Sequence, residues 1–97
     1  MRLEILLAPE AIEDQKRLDP DVRAGVRAAI ELYLRHEPTK VSRSRIKRLR
    51  GLKNPQFRLR VGEVRIFYDV VGGEVHVLGI VSKSQAATWL KDLGEPE

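Results

Sequence analysis

The chain has 97 residues, 42% hydrophobic and 33% charged, which suits one small domain spanning 1–97 and leaves no room for a second. It contains no cysteine, which excludes a disulfide framework, a thiolate nucleophile and a Cys-ligated zinc. The net charge of +4 is unevenly spread: ten basic residues lie in 40–65 against Glu63 alone, a local +9, and the rest of the chain sums to −5. A dipole of that steepness points to a polyanionic partner. No apolar run approaches the ~20 residues of a membrane span, and MRLEILLAPE has too short an apolar stretch for a signal peptide. The composition suits a reducing cytoplasm. His36 and His76 are too few for a His-rich metal site, and no dinucleotide, P-loop or nucleophile-elbow motif occurs. No metal and no small-molecule cofactor is expected.

Residues 2–7 alternate, with Leu3, Ile5 and Leu7 on one side, and predict a first strand. Pro9 opens a short helix with Glu10 and Glu13 in its early turns and Ala11, Ile12 and Leu18 on its apolar edge. Asp19-Pro20 is a second helix start, with the Asp19 side chain as N-cap. Val22, Val26, Ala29, Ile30, Tyr33 and Leu34 then follow at helical spacing, until Pro38 stops the helix. Residues 39–55 are basic and aperiodic and read as a loop anchored by Leu49 and Leu52. From Gln56 the period becomes two. Strands are predicted over 56–61, 64–71 and 75–81, joined by turns at Gly62-Glu63 and Gly72-Gly73. A short closing helix is predicted over 85–93, ended by Gly94 and Pro96. The order β, α, α, β, β, β, α gives an α+β domain: an antiparallel meander with the helices packed on one face.

The turns fix a register. Val61 faces Val64, Arg60 faces Arg65, and Arg58 faces Phe67; on the other side Val71 faces Glu74, Asp69 faces His76, Phe67 faces Leu78, and Arg65 faces Ile80. The predicted core is Phe57, Leu59, Val61, Val64, Ile66, Tyr68, Val70, Val75, Val77 and Val81. The opposite face gathers Arg58, Arg60 and Arg65 beside Phe67, Leu78 and Ile80. Like charges directly opposite each other cost a few tenths to about 1 kcal/mol. A fold that carries this cost suits an anion, because the planar arginine fork bonds two phosphate oxygens and keeps its proton. Lys47, Arg48, Arg50 and Lys53 approach from the preceding loop and extend the basic region toward a polyanion. The plainer alternative is a solvated arginine face whose stems cover apolar neighbours. His76 beside Asp69 reads as a surface pair, and Tyr68 as a core residue. Trp89 serves either core packing or base stacking.

The stretch RLRGLKNPQFRLRVGEVRIFYDVVGGEVHVLGIVSKSQAATWL resembles the RelE/ParE superfamily of type II toxin–antitoxin toxins. The likeness lies in the Arg48-Leu49-Arg50-Gly51 loop, the alternating Arg58 and Arg60, the Gly62-Glu63-Val64-Arg65-Ile66-Phe67-Tyr68 strand, and the valine-rich strand over 75–81. The upstream helical hairpin fits as well. Within the superfamily the basic middle strands are those of the RelE branch, whose members cleave messenger RNA on the ribosome. The resemblance implies metal-independent attack of a ribose 2′-hydroxyl on the adjacent phosphate, with Arg58, Arg60, Arg65 and Lys83 catalytic. It places Lys83 as the base, if neighbouring arginines depress its pKa. The family has a tyrosine where this chain has Trp89, which cannot accept a proton. It also implies a cognate antitoxin protein, and as further substrate contacts the messenger and ribosomal RNA. The alternatives within the resemblance are inhibition of DNA gyrase, as by ParE-like members, and RNA or ribosome binding without cleavage.

Overall fold

A computed structural model describes residues 2–97. The first strand, β1 (Glu4–Leu7), leads through Pro9 into α1 (Pro9–Lys16) and then α2 (Pro20–Ala29), which ends in a π-helical turn over Ile30–Leu34. Asp19 sits at the N-cap of α2, but its side chain makes no capping hydrogen bond, contrary to expectation. The join between the helices is secured by Arg23, whose guanidinium donates to the carbonyls of Gln15 at 3.0 Å, Lys16 at 2.8 Å and Leu18 at 2.9 Å. These carbonyls lie at and just beyond the end of α1, so one side chain fixes the angle of the hairpin.

The basic segment is not wholly a loop. It contains β2 (Ile46–Arg48) and β3 (Leu52–Asn54), followed by β4 (Phe57–Val61), β5 (Val64–Val71) and β6 (Glu74–Ser82). Ser42 Oγ accepts from the Arg45 and Ile46 amides at 3.1 and 3.3 Å, and the Arg45 guanidinium lies 5.2 Å from the Tyr33 ring centroid. The chain is thereby turned into β2 without a glycine. A 3-10 turn (Lys83–Gln85), α3 (Ala86–Leu93) and a two-residue β7 (Glu95–Pro96) close the fold.

The main sheet runs β1-β6-β5-β4-β2. The meander β4-β5-β6 is antiparallel as expected, but β1 pairs parallel to β6, so the sheet is mixed. The helical hairpin carries the chain from β1 across the sheet to the opposite edge at β2, and the meander then returns to lay β6 beside β1. β3 and β7 form a separate two-stranded ribbon.

The β4–β5 register is the predicted one throughout. The β5–β6 register is as predicted near Gly72-Gly73, then shifts between Phe67 and Tyr68. Phe67 faces Gly79 rather than Leu78, and Arg65 faces Val81 rather than Ile80. One extra residue in β6 turns every later side chain over. Ile80 is therefore in the core, and Val81 is on the arginine face, where it is half-buried. The Ile80 amide is met by Asp14 Oδ2 from α1 at 3.0 Å.

Val26, Ala29, Ile30 and Leu34 pack on Leu59, Ile66, Tyr68, Val75 and Val77 to form the core. Val61 and Val70 pack against it only partly buried. The Tyr68 hydroxyl donates to the Pro38 carbonyl at 2.6 Å, tying the end of the helical layer to the sheet. No described helix is long and apolar enough to cross a membrane.

Candidate nucleic-acid interface

The face of the sheet away from α1 and α2 carries two cross-strand rows. In one, Lys47 pairs with Arg58, Arg58 with Phe67, and Phe67 with Gly79. In the other, Arg60 pairs with Arg65 and Arg65 with Val81. Alternation along β4 puts Arg58 and Arg60 on the same side, and the tight Gly62-Glu63 turn folds Arg65 back against Arg60. Gly62 takes φ +57°, the left-handed conformation that this turn needs.

The three arginines differ. Arg60 is exposed. Arg65 is 7% exposed, and its Nη1 donates to the carbonyls of Gly62 at 2.8 Å and Val64 at 3.1 Å. Its charge is present, but its guanidinium is partly committed to the turn. Arg58, two residues before Arg60 on β4 and opposite Phe67, is half-buried, with its Nε shielded from solvent and without a hydrogen-bond partner. Burial first, then the positive charges of Arg65 and Arg60, hold the Arg58 guanidinium below its usual pKa. No ion pair joins any of the three to a carboxylate among the described residues. A buried donor without a partner beside like charges is costly, and an anion relieves both terms.

Lys47 extends this face by one strand. Arg48 does not: it pairs with Phe57 on the other side of β2, with its guanidinium 5.1 Å from the Phe57 ring centroid. Arg50 is exposed in the bend before Gly51, and Lys53 is exposed on β3 in the small ribbon. Lys83 is exposed at the end of β6, and its amide donates to the Glu63 carbonyl at 2.7 Å. It therefore lies alongside the turn that carries Arg65, at the same end of the sheet as Arg60.

Trp89 is a packing residue in this conformation. Its ring stacks on Phe67, with centroids 4.8 Å apart and planes inclined at 15°. It lies so close to Gly79 that a Cβ there would meet the indole at 2.5 Å. The glycine seat was readable as a glycine inside a strand pattern, the usual mark of a bulge or a close approach. α3 thus covers one end of the arginine face, and the sheet is clad on both sides.

At the far end, His76 and Asp69 are cross-strand neighbours with separate partners. His76 Nε2 lies 2.9 Å from Glu74 Oε1. Asp69 Oδ1 accepts from the Gln56 amide at 2.7 Å, and Gln56 Oε1 accepts from the Val70 amide at 2.9 Å. This reciprocal clamp pins β4 to β5. It is structural and missing from the sequence reading. Among the described residues no cluster of three His, Cys, Asp or Glu could hold a metal ion.

No protein-family model and no curated protein matches the sequence. Solved structures do match. A chain of the archaeal RelE–RelB complex from Pyrococcus horikoshii is similar with a TM-score of 0.71 and 16% identity, over 88% of this chain and 99% of that one. Toxin RelE from E. coli, in the free state and with two arginines replaced by alanine, gives 0.70 and 17%, over 96% and 99%. The RelBE2 toxin–antitoxin complex of Mycobacterium tuberculosis gives 0.67 and 24%, over 84% and 99%. This chain has the RelE toxin fold. In this RelE fold the arginine rows occupy the central strands, and α3 is the closing C-terminal helix.

Proposed function

We propose that this chain is the toxin of a type II toxin–antitoxin pair, and that it cleaves messenger RNA on the ribosome. The observation that carries the reading is the uncompensated arginine face on a RelE fold, with the Arg58 Nε buried and unpartnered. Like charges set together and a buried donor left unpaired cost the fold stability, and a bound anion offsets that cost.

The reaction is displacement within the RNA. The ribose 2′-oxygen attacks the adjacent phosphorus as its proton passes to a base. The new O2′–P bond forms, and the P–O5′ bond breaks. The products are a 2′,3′-cyclic phosphate and a 5′-hydroxyl, and the 5′-oxygen takes up a proton. Arg58 and Arg60 hold the phosphate oxygens as charge builds on them, a preorganised electrostatic role. Arg65, anchored to the turn carbonyls, fixes the geometry and adds its charge from beneath. In this reading Lys83, whose amide joins the same turn, takes the 2′-proton. The ribosome holds the messenger in line for attack, which supplies an orientation that a small open face cannot. Lys47 continues the contact along the backbone.

Trp89 takes no proton in this scheme. Its role is to hold α3 on Phe67, which leaves Lys83 as the chain's own base. A cognate antitoxin that covers the basic surface completes the pair.

The test is addition of the purified protein to a cell-free translation reaction, followed by mapping of new RNA ends by primer extension. Ends that appear within codons only during translation support the proposal. Intact messenger, with cleaved DNA complexes accumulating on purified gyrase, would replace it by the ParE-type activity.

A further inference from the structure

The segment that leads into β2 carries a further uncompensated arginine, at the edge of the sheet. The π-helical turn over Ile30–Leu34 leaves Leu32 70% exposed and keeps Tyr33 half-buried against the core. A pocket of about 420 Å³ lies between that turn and the approach to β2, and Tyr33, Glu37, Lys40, Ser44 and Arg45 line it. Arg45 is exposed, lies over the Tyr33 ring and joins no carboxylate among the described residues. The hydrogen bonds of the local turn do not involve its guanidinium. They run through Ser42, whose Oγ accepts from the Arg45 and Ile46 amides and whose own amide donates to the Ile46 carbonyl at 2.9 Å. The pocket also adjoins the arginine face. The Arg60 amide donates to the Arg45 carbonyl at 2.9 Å, and β2 is the last strand of the sheet. Neighbouring strands lie about 4.8 Å apart, so a single strand of RNA with a phosphate on Arg60 can pass round this edge and set an adjacent base at Arg45.

We infer that this pocket is a base subsite for single-stranded RNA, in which an unstacked purine lies on the outer face of the Arg45 guanidinium with Tyr33 behind it. Splayed bases are seated on aromatic rings and on the flat face of a guanidinium, and here the two are already laid together. One face of Arg45 is used by Tyr33, and the other is left for the base. The rim decides between a base and a bare phosphate. Glu37 lines the same pocket, 3.5 Å from Lys40. A carboxylate repels a phosphate but accepts a hydrogen bond from an exocyclic amino group. Adenine and guanine carry that group and offer the larger stacking area, whereas uracil carries none. The Ser44 hydroxyl, exposed beside Arg45, adds a donor and acceptor for the base edge. Arg45 is thus a specificity-determining residue for the nucleotide next to the phosphate held at Arg60. That this nucleotide belongs to the cleaved messenger rests on the function proposed above; the base seat itself does not.

The test uses the full chain with isotope-labelled arginine and tyrosine side chains and three probes: a short oligoadenylate, an oligouridylate of the same length, and tripolyphosphate, which carries charge without a base. Oligoadenylate is expected to shift the Tyr33 ring and Arg45 Nε signals and to bind about tenfold more tightly than oligouridylate. Arg45→Lys, an exposed change that keeps the charge and removes the flat face, is expected to cut that preference to about twofold or less and to leave the salt dependence of binding unchanged. Tyr33→Phe keeps the ring and is expected to keep the preference. Equal binding of the two oligonucleotides, tripolyphosphate moving Tyr33 and Arg45 as far as RNA does, or a preference that survives Arg45→Lys overturns the proposal. If oligoadenylate is seated in this way while messenger stays intact on translating ribosomes, the function proposed above fails and the base seat stands. If messenger is cleaved and the preference survives Arg45→Lys, the base seat fails and the function stands.

Discussion

The Trp89 indole lies parallel to the Phe67 ring, 4.8 Å away, and fills the space that a side chain at position 79 would need. This contact decides where the C-terminal helix sits, because α3 has no fully buried residue of its own. Gly79→Ala should expel the indole without altering it. The emission of this single tryptophan should shift to the red, and the protein should lose about 2 kcal/mol of stability, against 3–5 kcal/mol for removing a fully buried aromatic ring. Unchanged emission and stability would show that α3 is held by something else.

Arg60 and Arg65 face each other but should respond oppositely to removal. Arg60→Ala relieves a like-charge pair, so stability should hold or rise by up to about 0.5 kcal/mol. RNA affinity should fall, and the slope of log affinity against log salt should shrink by about one phosphate contact. Arg65→Ala removes the hydrogen bonds to Gly62 and Val64 and should cost about 1–2 kcal/mol. Denaturant unfolding and salt-dependent binding separate the two.

Tyr68 is fully buried, and burial pushes its hydroxyl far above the usual phenol pKa. Its hydroxyl is spent on the Pro38 carbonyl. Tyr68→Phe should cost about 1 kcal/mol of stability and leave the cleavage rate of the folded protein unchanged. A loss of rate at constant stability would make Tyr68 a participant in the chemistry.

Burial raises the pKa of Asp69 above that of an ordinary aspartate, against the opposing hydrogen bond from the Gln56 backbone amide. The folded state thus favours the protonated carboxyl, so this group's contribution to stability is full at low pH and is lost as pH rises through the folded pKa. Asp69→Asn keeps an oxygen for the Gln56 amide and cannot ionise. It should flatten the pH dependence of stability just above the ordinary carboxylate range and cost little at neutral pH. A variant that loses stability mainly at neutral pH would show that the charge itself is needed.

The strand alternation and the two glycine turns made the meander, its β4–β5 register and the arginine face readable from the sequence. The register failed beyond Leu78 because a period-two reading cannot see one extra residue, although Gly79 marked the place. The failed register put Ile80 on the arginine face, whereas the structure buries it in the core, and it left Trp89 without its seat. β2, β3 and β7 escaped notice because strands of two or three residues carry no period of their own. Their pairing with β4 and with each other forms them. The parallel place of β1 depends on the helical crossover, which strand composition does not encode. The basic segment read as one surface, and the structure divides it. Lys47 goes to the arginine face, and Arg48 goes to the far side of β2.

The central claim is that the arginine face cuts RNA, and the chemistry of the ends tests it most directly. Wild-type protein and the Arg58→Ala, Arg60→Ala double variant would be added to translating ribosomes, and the cleaved messenger recovered. The account predicts fragments with 5′-hydroxyl ends, which a kinase labels without prior phosphatase treatment, and matching 2′,3′-cyclic phosphate ends, with the double variant folded and inactive. Fragments bearing 5′-phosphates, or a folded double variant as active as wild type, would contradict it.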